Sequence, residues 1–413
     1  MKIRTAPPRL AGGDSTRSQG VSLSRAAEVL QTGTLAVDWR VGLPAPPVDV
    51  PPLVDGEGNV YLGDQSGQLH AVSPEGELRW SCPLSSPLRF PPVRGPRGEV
   101  YVAGEWAVDA IGPSGEPLWR AEAPWNLAGP PAVTGDGRVY VGTTAGEVVE
   151  FTGGKARQRG RPWKAPIALF LAPGPGTSLV AIRASGDMML YEPRSWLLSR
   201  RRESQLPGMV QRPPTPGPAG RLFFSCMAPG MRYSLCSLDA AAPGAPLRVL
   251  ARFRDFQPIS PPSVGPAGLV AIAVAQEGIQ VFDREGRRRP TAEGSTTGED
   301  AWPDAFPRTA AVEGGLLVTG KSSGQAAFAR GGAFELQPLG STGLTPPAAT
   351  PDGRFVVASP EGVVCLDPDP ARIAARALEA PEPAAPGIRR GEEFVDVGPI
   401  RLPVRKSTRL PGG

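Results

Sequence analysis

One histidine, His70, occurs in 413 residues. With no second imidazole, a histidine-rich metal site and a two-histidine relay are both excluded. Cysteine is nearly as scarce. Cys82, Cys226, Cys236 and Cys365 are scattered, and no CxxC occurs. Four cysteines so spread read as reduced core residues rather than a disulfide framework. Long apolar runs are missing too, so no transmembrane helix is expected. The opening MKIRTAPPRLAGGDSTRSQG has basic residues with no apolar run behind them and does not read as a secretory signal. The expected location is cytoplasmic, with an envelope location as the alternative if the true start lies elsewhere. Helix-forming stretches are few, only Ser22–Leu30 and Pro370–Glu379, which leaves a mostly β chain.

Glycine and proline are abundant instead, 52 and 51 residues. Without a period, such a composition means disorder; with one, it means many turns. A period exists. PPLVDGEGNVYLGDQSGQLHAVSPEGELRW begins at Pro51, and related units begin at Pro91, Pro130, Pro213, Pro261 and Pro346. Degenerate copies begin at Leu169 and Pro307. The register holds at a fixed offset: Pro52/Gly58, Pro92/Gly98, Pro131/Gly137, Phe170/Gly176, Pro214/Gly220, Pro262/Gly268, Arg308/Gly314 and Pro347/Gly353. A second glycine follows in most copies, at Gly67, Gly146, Gly186, Gly278, Gly324 and Gly362; the second copy has Ala107 there and is one residue shorter.

Eight copies, each with several short β-rich runs and tight turns, predict an all-β, eight-bladed β-propeller, with seven blades as the alternative. The eighth unit lacks a terminal tryptophan segment. LAVDWRVGLP (Leu35–Pro44) resembles the outer-strand segments around Trp80, Trp119 and Trp163, so this N-terminal strand, with Trp39, is expected to complete the last blade. The expected organisation is a polar tail over 1–34 with a short helix, a propeller over 35–370, and a Pro-rich, basic tail over 371–413. Within that last tail, Glu392–Val404 could run as one extended strand.

The repeat, V/L-Y-V-G followed by a strand glycine and an outer-strand tryptophan, resembles that of the PQQ-type, quinoprotein-like propellers over roughly residues 35–368. The resemblance implies the fold, and in redox members of the family also PQQ held over Ca²⁺ by carboxylates, beside an adjacent cysteine pair. This chain has no adjacent cysteines. Asp55, Asp136 and Asp352 sit in turns rather than in a convergent oxygen cage. No cofactor, metal or catalytic residue is therefore assigned, and no enzyme activity is expected. His70 reads as a strand residue with a satisfied ring nitrogen, and no spacing argument assembles a Ser-His-Asp grouping. Cys226 and Cys236 flank a turn without facing each other across it.

The repeated residues Gly58, Gly98, Gly137, Gly220, Gly268, Gly353, Trp39, Trp80, Trp119 and Trp163 are architectural on this reading. What departs from the repeat is charge. The chain has net charge +4, yet Lys155 to Arg202 contains ten basic residues and two acidic ones. The runs KARQRGR and REGRRRP both follow a third strand and are expected on the face carrying the third-to-fourth-strand turns. Arg157, Arg159, Arg161, Arg200, Arg201, Arg202, Arg287, Arg288 and Arg289 form the candidate partner site, for another protein with an acidic surface. Aromatics are not interleaved with them, which argues against nucleic acid. The function expected is a non-catalytic scaffold in a larger assembly. The alternatives are a PQQ- or ligand-binding quinoprotein and an envelope-associated assembly scaffold.

Overall fold

The computed structural model describes residues 36–368, apart from 161–165, 175, 192–200, 218–219, 240–246, 256–259, 265–269, 275–277, 284, 290–307, 313–314, 320–324, 331–332 and 339–344, together with 394–397 and 400–403. Both expected helices lie outside the described residues, and every described element is a strand. The chain divides into two compact units, Met1–Pro370 and Ala371–Gly413.

In the first unit the described strands form eight antiparallel sheets of four or five strands. Blade one is Leu53–Val54, Val60–Gly63, Gln68–Val72 and Leu78–Pro83, paired in sequence order. Its three turns carry Gly58, Gly67 and Gly76, all near φ +85, a region where a side chain is strained and glycine is not. Gly98, Gly137, Gly220 and Gly353 repeat the positive φ at the first turn of their own blades; Gly268 lies outside the described residues. The second and third strands are buried along nearly their whole length in blades one, two and three. Both faces of each are covered, which is why NVYLG, EVYVAG and RVYVGT read as continuous apolar runs rather than alternating ones.

The covering comes from neighbouring blades. Leu53 and Leu69 of blade one share a core with Val100, Val102 and Ile111 of blade two. Val108 and Ala110 of blade two pack with Val139, Val149 and Phe151 of blade three. The pattern continues through Leu169, Leu179 and Ala181, through Phe224 and Cys236, and through Phe223, Leu235 and Ile272. The strand Arg308–Val312 packs between Val270–Val274 on one side and Ala348–Ala349 on the other. Val356 and Cys365 then meet Val54, Val60 and Val72 of blade one. First strands of adjacent sheets touch, so they converge inside the ring and the fourth strands lie on its rim. The chain is an all-β propeller.

The ring closes as the sequence suggests. Ala36–Val41 pairs antiparallel with Gly362–Asp367, placing Ala36 opposite Asp367 and Trp39 opposite Cys365. Arg354 lies just before the strand Phe355–Ser359 and forms an ion pair with Asp38, both side chains being almost wholly buried. It also donates to the Pro74 carbonyl of blade one at 3.0 Å. One guanidinium thus ties the last blade, the N-terminal strand and the first blade.

Two expectations change, and one blade departs from the rest. The segment within Glu392–Val404 is not one extended strand. Phe394–Val397 pairs antiparallel with Ile400–Pro403. The fourth strand of blade three is Lys155–Gly160, the KARQRG run itself, and Trp163 lies outside the described residues. Where Trp80 faces Ala71 in blade one, Arg157 faces Glu150 in blade three. Blade five is taller than its neighbours, with second and third strands of eight residues each, Arg221–Ala228 and Arg232–Asp239.

Candidate interaction site

The repeated tryptophans are spent on architecture. Trp39 Nε1 donates to the Pro74 carbonyl at 2.9 Å, and Trp80 Nε1 donates to the Pro113 carbonyl at 3.1 Å. Each indole lies on a glycine of the next blade. A Cβ on Gly76 would sit 2.7 Å from Trp39 Cγ, and one on Gly115 would sit 2.7 Å from Trp80 Cγ. Tyr61 and Tyr101 tilt against Trp80 and Trp119 from the same blades, with centroids 5.8 and 5.9 Å apart. Trp39 and Trp80 therefore latch onto the following blade, and Trp119 packs against Tyr101 of its own.

His70 is the strand residue with a satisfied ring that the sequence suggests. Its Nε2 lies 2.9 Å from Asp64 Oδ2 and its Nδ1 lies 2.8 Å from Ser81 Oγ. The structure thus assembles the Ser-His-Asp grouping that spacing did not reveal. Asp64 sits in the turn between the second and third strands, His70 on the third and Ser81 on the fourth. Asp64 and His70 have no exposed surface. Burial pushes the Asp64 carboxyl up, but the Gln68 N–H, His70 and the Ser66 hydroxyl together hold it below the usual carboxylate value. Such a carboxylate fixes the imidazole. The ring is reversed relative to a hydrolytic triad, with the carboxylate on Nε2 and the hydroxyl on Nδ1. What the relay does is staple a turn to two strands.

Cys226 and Cys236 are free and buried. Cys236 lies opposite Phe224 and Cys226 opposite Ser234, so the thiols meet diagonally rather than directly. A hydrogen bond between the two thiols, with burial, raises the value for Cys226. Cys226 is therefore not primed as a nucleophile. Among the described residues no three His, Cys, Asp or Glu side chains converge as a metal cage. Asp55 is engaged by Asn59 and Tyr61, Asp136 by Thr134, and Asp352 by Thr350 and Arg354.

The arginines lie partly elsewhere than expected. Lys155–Gly160, Arg201–Gln205, Arg248–Asp255 and Arg288–Arg289 are the fourth strands of blades three to six. Among the described residues KARQRG is a rim strand rather than a turn, whereas REGRRRP divides, Glu285–Arg287 lying in the third-to-fourth-strand turn as expected and Arg288–Arg289 on the rim strand. The reason is that a rim strand is a sheet edge. It needs no apolar outer face, and charge there blocks pairing with another edge. Written out, these strands are KARQRG, RRESQ, RVLARFRD and RR, ten basic residues against two acidic. The outermost strands of the other four sheets hold three of each sign: Arg40, Arg79 and Arg120 against Asp38, Glu122 and Glu335.

Some of this charge is used internally. Glu150, buried on the third strand of blade three, takes Arg138 at 2.8 Å and also pairs with Arg159. Arg287 binds Asp283 at 2.9 Å across its own turn. Lys155, Arg157, Arg248, Arg252 and Arg288 are exposed. Arg161 and Arg200 lie outside the described residues, and Arg201, Arg202 and Arg289 are placed here by their strands alone.

Fold and latch together define the class, a β-propeller. No protein-family model and no curated protein sequence matches the chain. A solved structure matches it in fold. The computationally designed Ika8 protein superposes with a TM-score of 0.55 at 11% identity, over 79% of this chain and 96% of its own. BamB from Moraxella catarrhalis superposes with a TM-score of 0.43 at 12% identity, over 81% of this chain and 99% of its own. No described helix is long and apolar enough to cross a membrane.

Proposed function

We propose that this protein is a non-catalytic propeller scaffold of the PQQ-like type, with eight blades over residues 35–370 between tails 1–34 and 371–413, and that it holds an acidic protein partner on its rim. The eight sheets and the tryptophan-on-glycine latch support the blade number and the repeat type. The partner reading rests on one observation: the uneven charge of the rim. Four consecutive blades carry nearly all of the rim's excess positive charge, while the other four balance. Dispersed arginines would serve solubility equally well; a continuous arc also produces a one-sided field that steers an anionic partner.

A fluorescein-labelled deca-glutamate peptide probes this. It should bind the full chain at low salt and weaken steeply as salt screens the arc. Replacing Lys155, Arg157, Arg248, Arg252 and Arg288 by serine should weaken binding by about tenfold or more, since each lost rim charge removes a few tenths of a kcal/mol up to about 1. Binding within twofold of the unaltered protein after all five changes would refute the rim as the contact surface.

A further inference from the structure

Among the described residues, two tryptophans stand apart from the inter-blade latch. Trp106 and Trp125 are 46% and 45% exposed. Both stand where the repeat is broken. Trp106 occupies the shortened turn between the second and third strands of blade two, where blades one and three place Ser66 and Ala145. Trp125 lies in the connection to blade three. Backbone bonds Val48 N to Gly63 O, Arg89 N to Ala103 O and Ala128 N to Gly142 O align the three such connections. In that alignment Trp125 stands where the others have Ala45 and Ser86. Architecture at these positions is satisfied by small residues.

The two side chains are presented by one pinned platform. Ala123 N donates to Trp106 O and Leu127 N to Glu105 O, each at 2.7 Å, and Asn126 Nδ2 donates to Glu105 Oε1 at 3.1 Å. On the far side Thr144 N donates to Asn126 O at 2.8 Å, and buried Leu127 anchors the loop beneath. Turn and connection share one end of the strands, so both tryptophans lie on the same side of the ring. A fixed, exposed aromatic pair has the composition of an interface hot spot.

We infer that this platform docks a proline-rich segment of a partner protein, a surface separate from the basic rim and independent of the reading given to that rim. The chemistry selects the occupant. The charges at the patch, Arg89 and Glu105, pair with each other at 3.3 Å, so nothing there favours an acidic or basic guest. An indole N–H donates and cannot accept, and among the described residues neither Trp106 nor Trp125 has spent its donor. The complementary guest is apolar, uncharged and rich in free carbonyls. A polyproline II segment fits: its carbonyls are unpaired, its prolines have no N–H, and it is ordered before it binds. A helix would have consumed its carbonyls in its own ladder, and an added strand would need an open sheet edge, which a turn and a loop do not offer.

Fluorescein-labelled decaproline, titrated with the full chain and followed by anisotropy, tests the inference. Saturable binding is expected, with no binding of a Gly-Ser decamer. Trp106→Ala and Trp125→Ala should each weaken decaproline about tenfold, while the five-serine rim variant should bind it unchanged. A second readout needs no variant in the binding step. Of the side-chain indole N–H resonances in ¹⁵N-labelled protein, those of Trp106 and Trp125 should shift on adding decaproline. Failure of decaproline to saturate, retention of binding within twofold in the double variant, or shifts confined to other indoles would each overturn it.

Discussion

At the scale of single residues, the glycines separate into those that only turn the chain and those that also receive a neighbour. Gly58 and Gly76 share a φ near +86, so alanine strains the backbone at both by about 1–2 kcal/mol. Only Gly76 also lies beneath an indole. Gly76→Ala must therefore displace Trp39 from the seam between the last and first blades. Its expected cost is about 3 kcal/mol or more, against about 1–2 for Gly58→Ala, read from urea midpoints. Equal losses would show that the latch adds nothing. His70 gives a second residue-scale outcome. Replacing it with leucine leaves the buried Asp64 carboxylate short of a donor and should cost about 2–4 kcal/mol. The same carboxylate predicts a pH response. Its value is lowered in the folded state, so its contribution is complete above the unfolded value of about 3.9 and is lost as pH falls further toward the folded value. Asp64→Asn should flatten the acid limb of stability against pH; an unchanged limb would place the acid-sensitive group elsewhere.

At the scale of elements, legibility followed the local signals. Turn glycines, proline pairs and outer tryptophans sit at fixed offsets, and they located blades, seams and the closing strand Ala36–Val41 from sequence. The rim strands of blades three to six were not legible as strands. Arg157 stands where the repeat has tryptophan, and an edge strand carries no alternating apolar face to betray it. Bulges interrupt the outer pairing in blades one to five, between Ala71 and Val72 for example, so edge protection by twist accompanies edge protection by charge. The Asp64–His70–Ser81 relay was hidden for another reason. It joins a turn and two strands, and only the pairing register brings His70 opposite Ser81. Ion pairs sort by the same logic of context. Asp38→Ala would leave the buried Arg354 with Asp352 as its remaining carboxylate and should cost about 2–3 kcal/mol, less than a fully broken buried pair. Glu122→Ala, which removes an exposed partner of Arg120, should stay within about 0.5 kcal/mol. Comparable losses from the two would contradict closure by the buried pair.

At the scale of the whole molecule, the closing strand makes the ring's topology independent of where the chain is cut. Ala36 lies directly opposite Asp367, as Lys155 lies opposite Thr152 in blade three. In blade three Gly153 and Gly154, both at positive φ, bridge that gap. Two glycines should therefore join Asp367 to Ala36 just as well. A permuted chain running from residue 42 to 367, then Gly-Gly, then residues 36–41, would build the last blade wholly from local hairpins. Compared with residues 36–368 in native order, it replaces the longest-range strand pairing with a two-residue loop and so lowers the entropy cost of closing the ring. It should unfold in one cooperative transition at an equal or higher midpoint and refold faster. Trimming residues 36–41 from the native order should instead expose Val356 and Cys365 and lower the midpoint sharply. If the permuted chain fails to fold where the native-order fragment succeeds, the N-terminal strand is doing more than completing a blade, and ring closure by strand exchange is not the whole account of how the two ends are held.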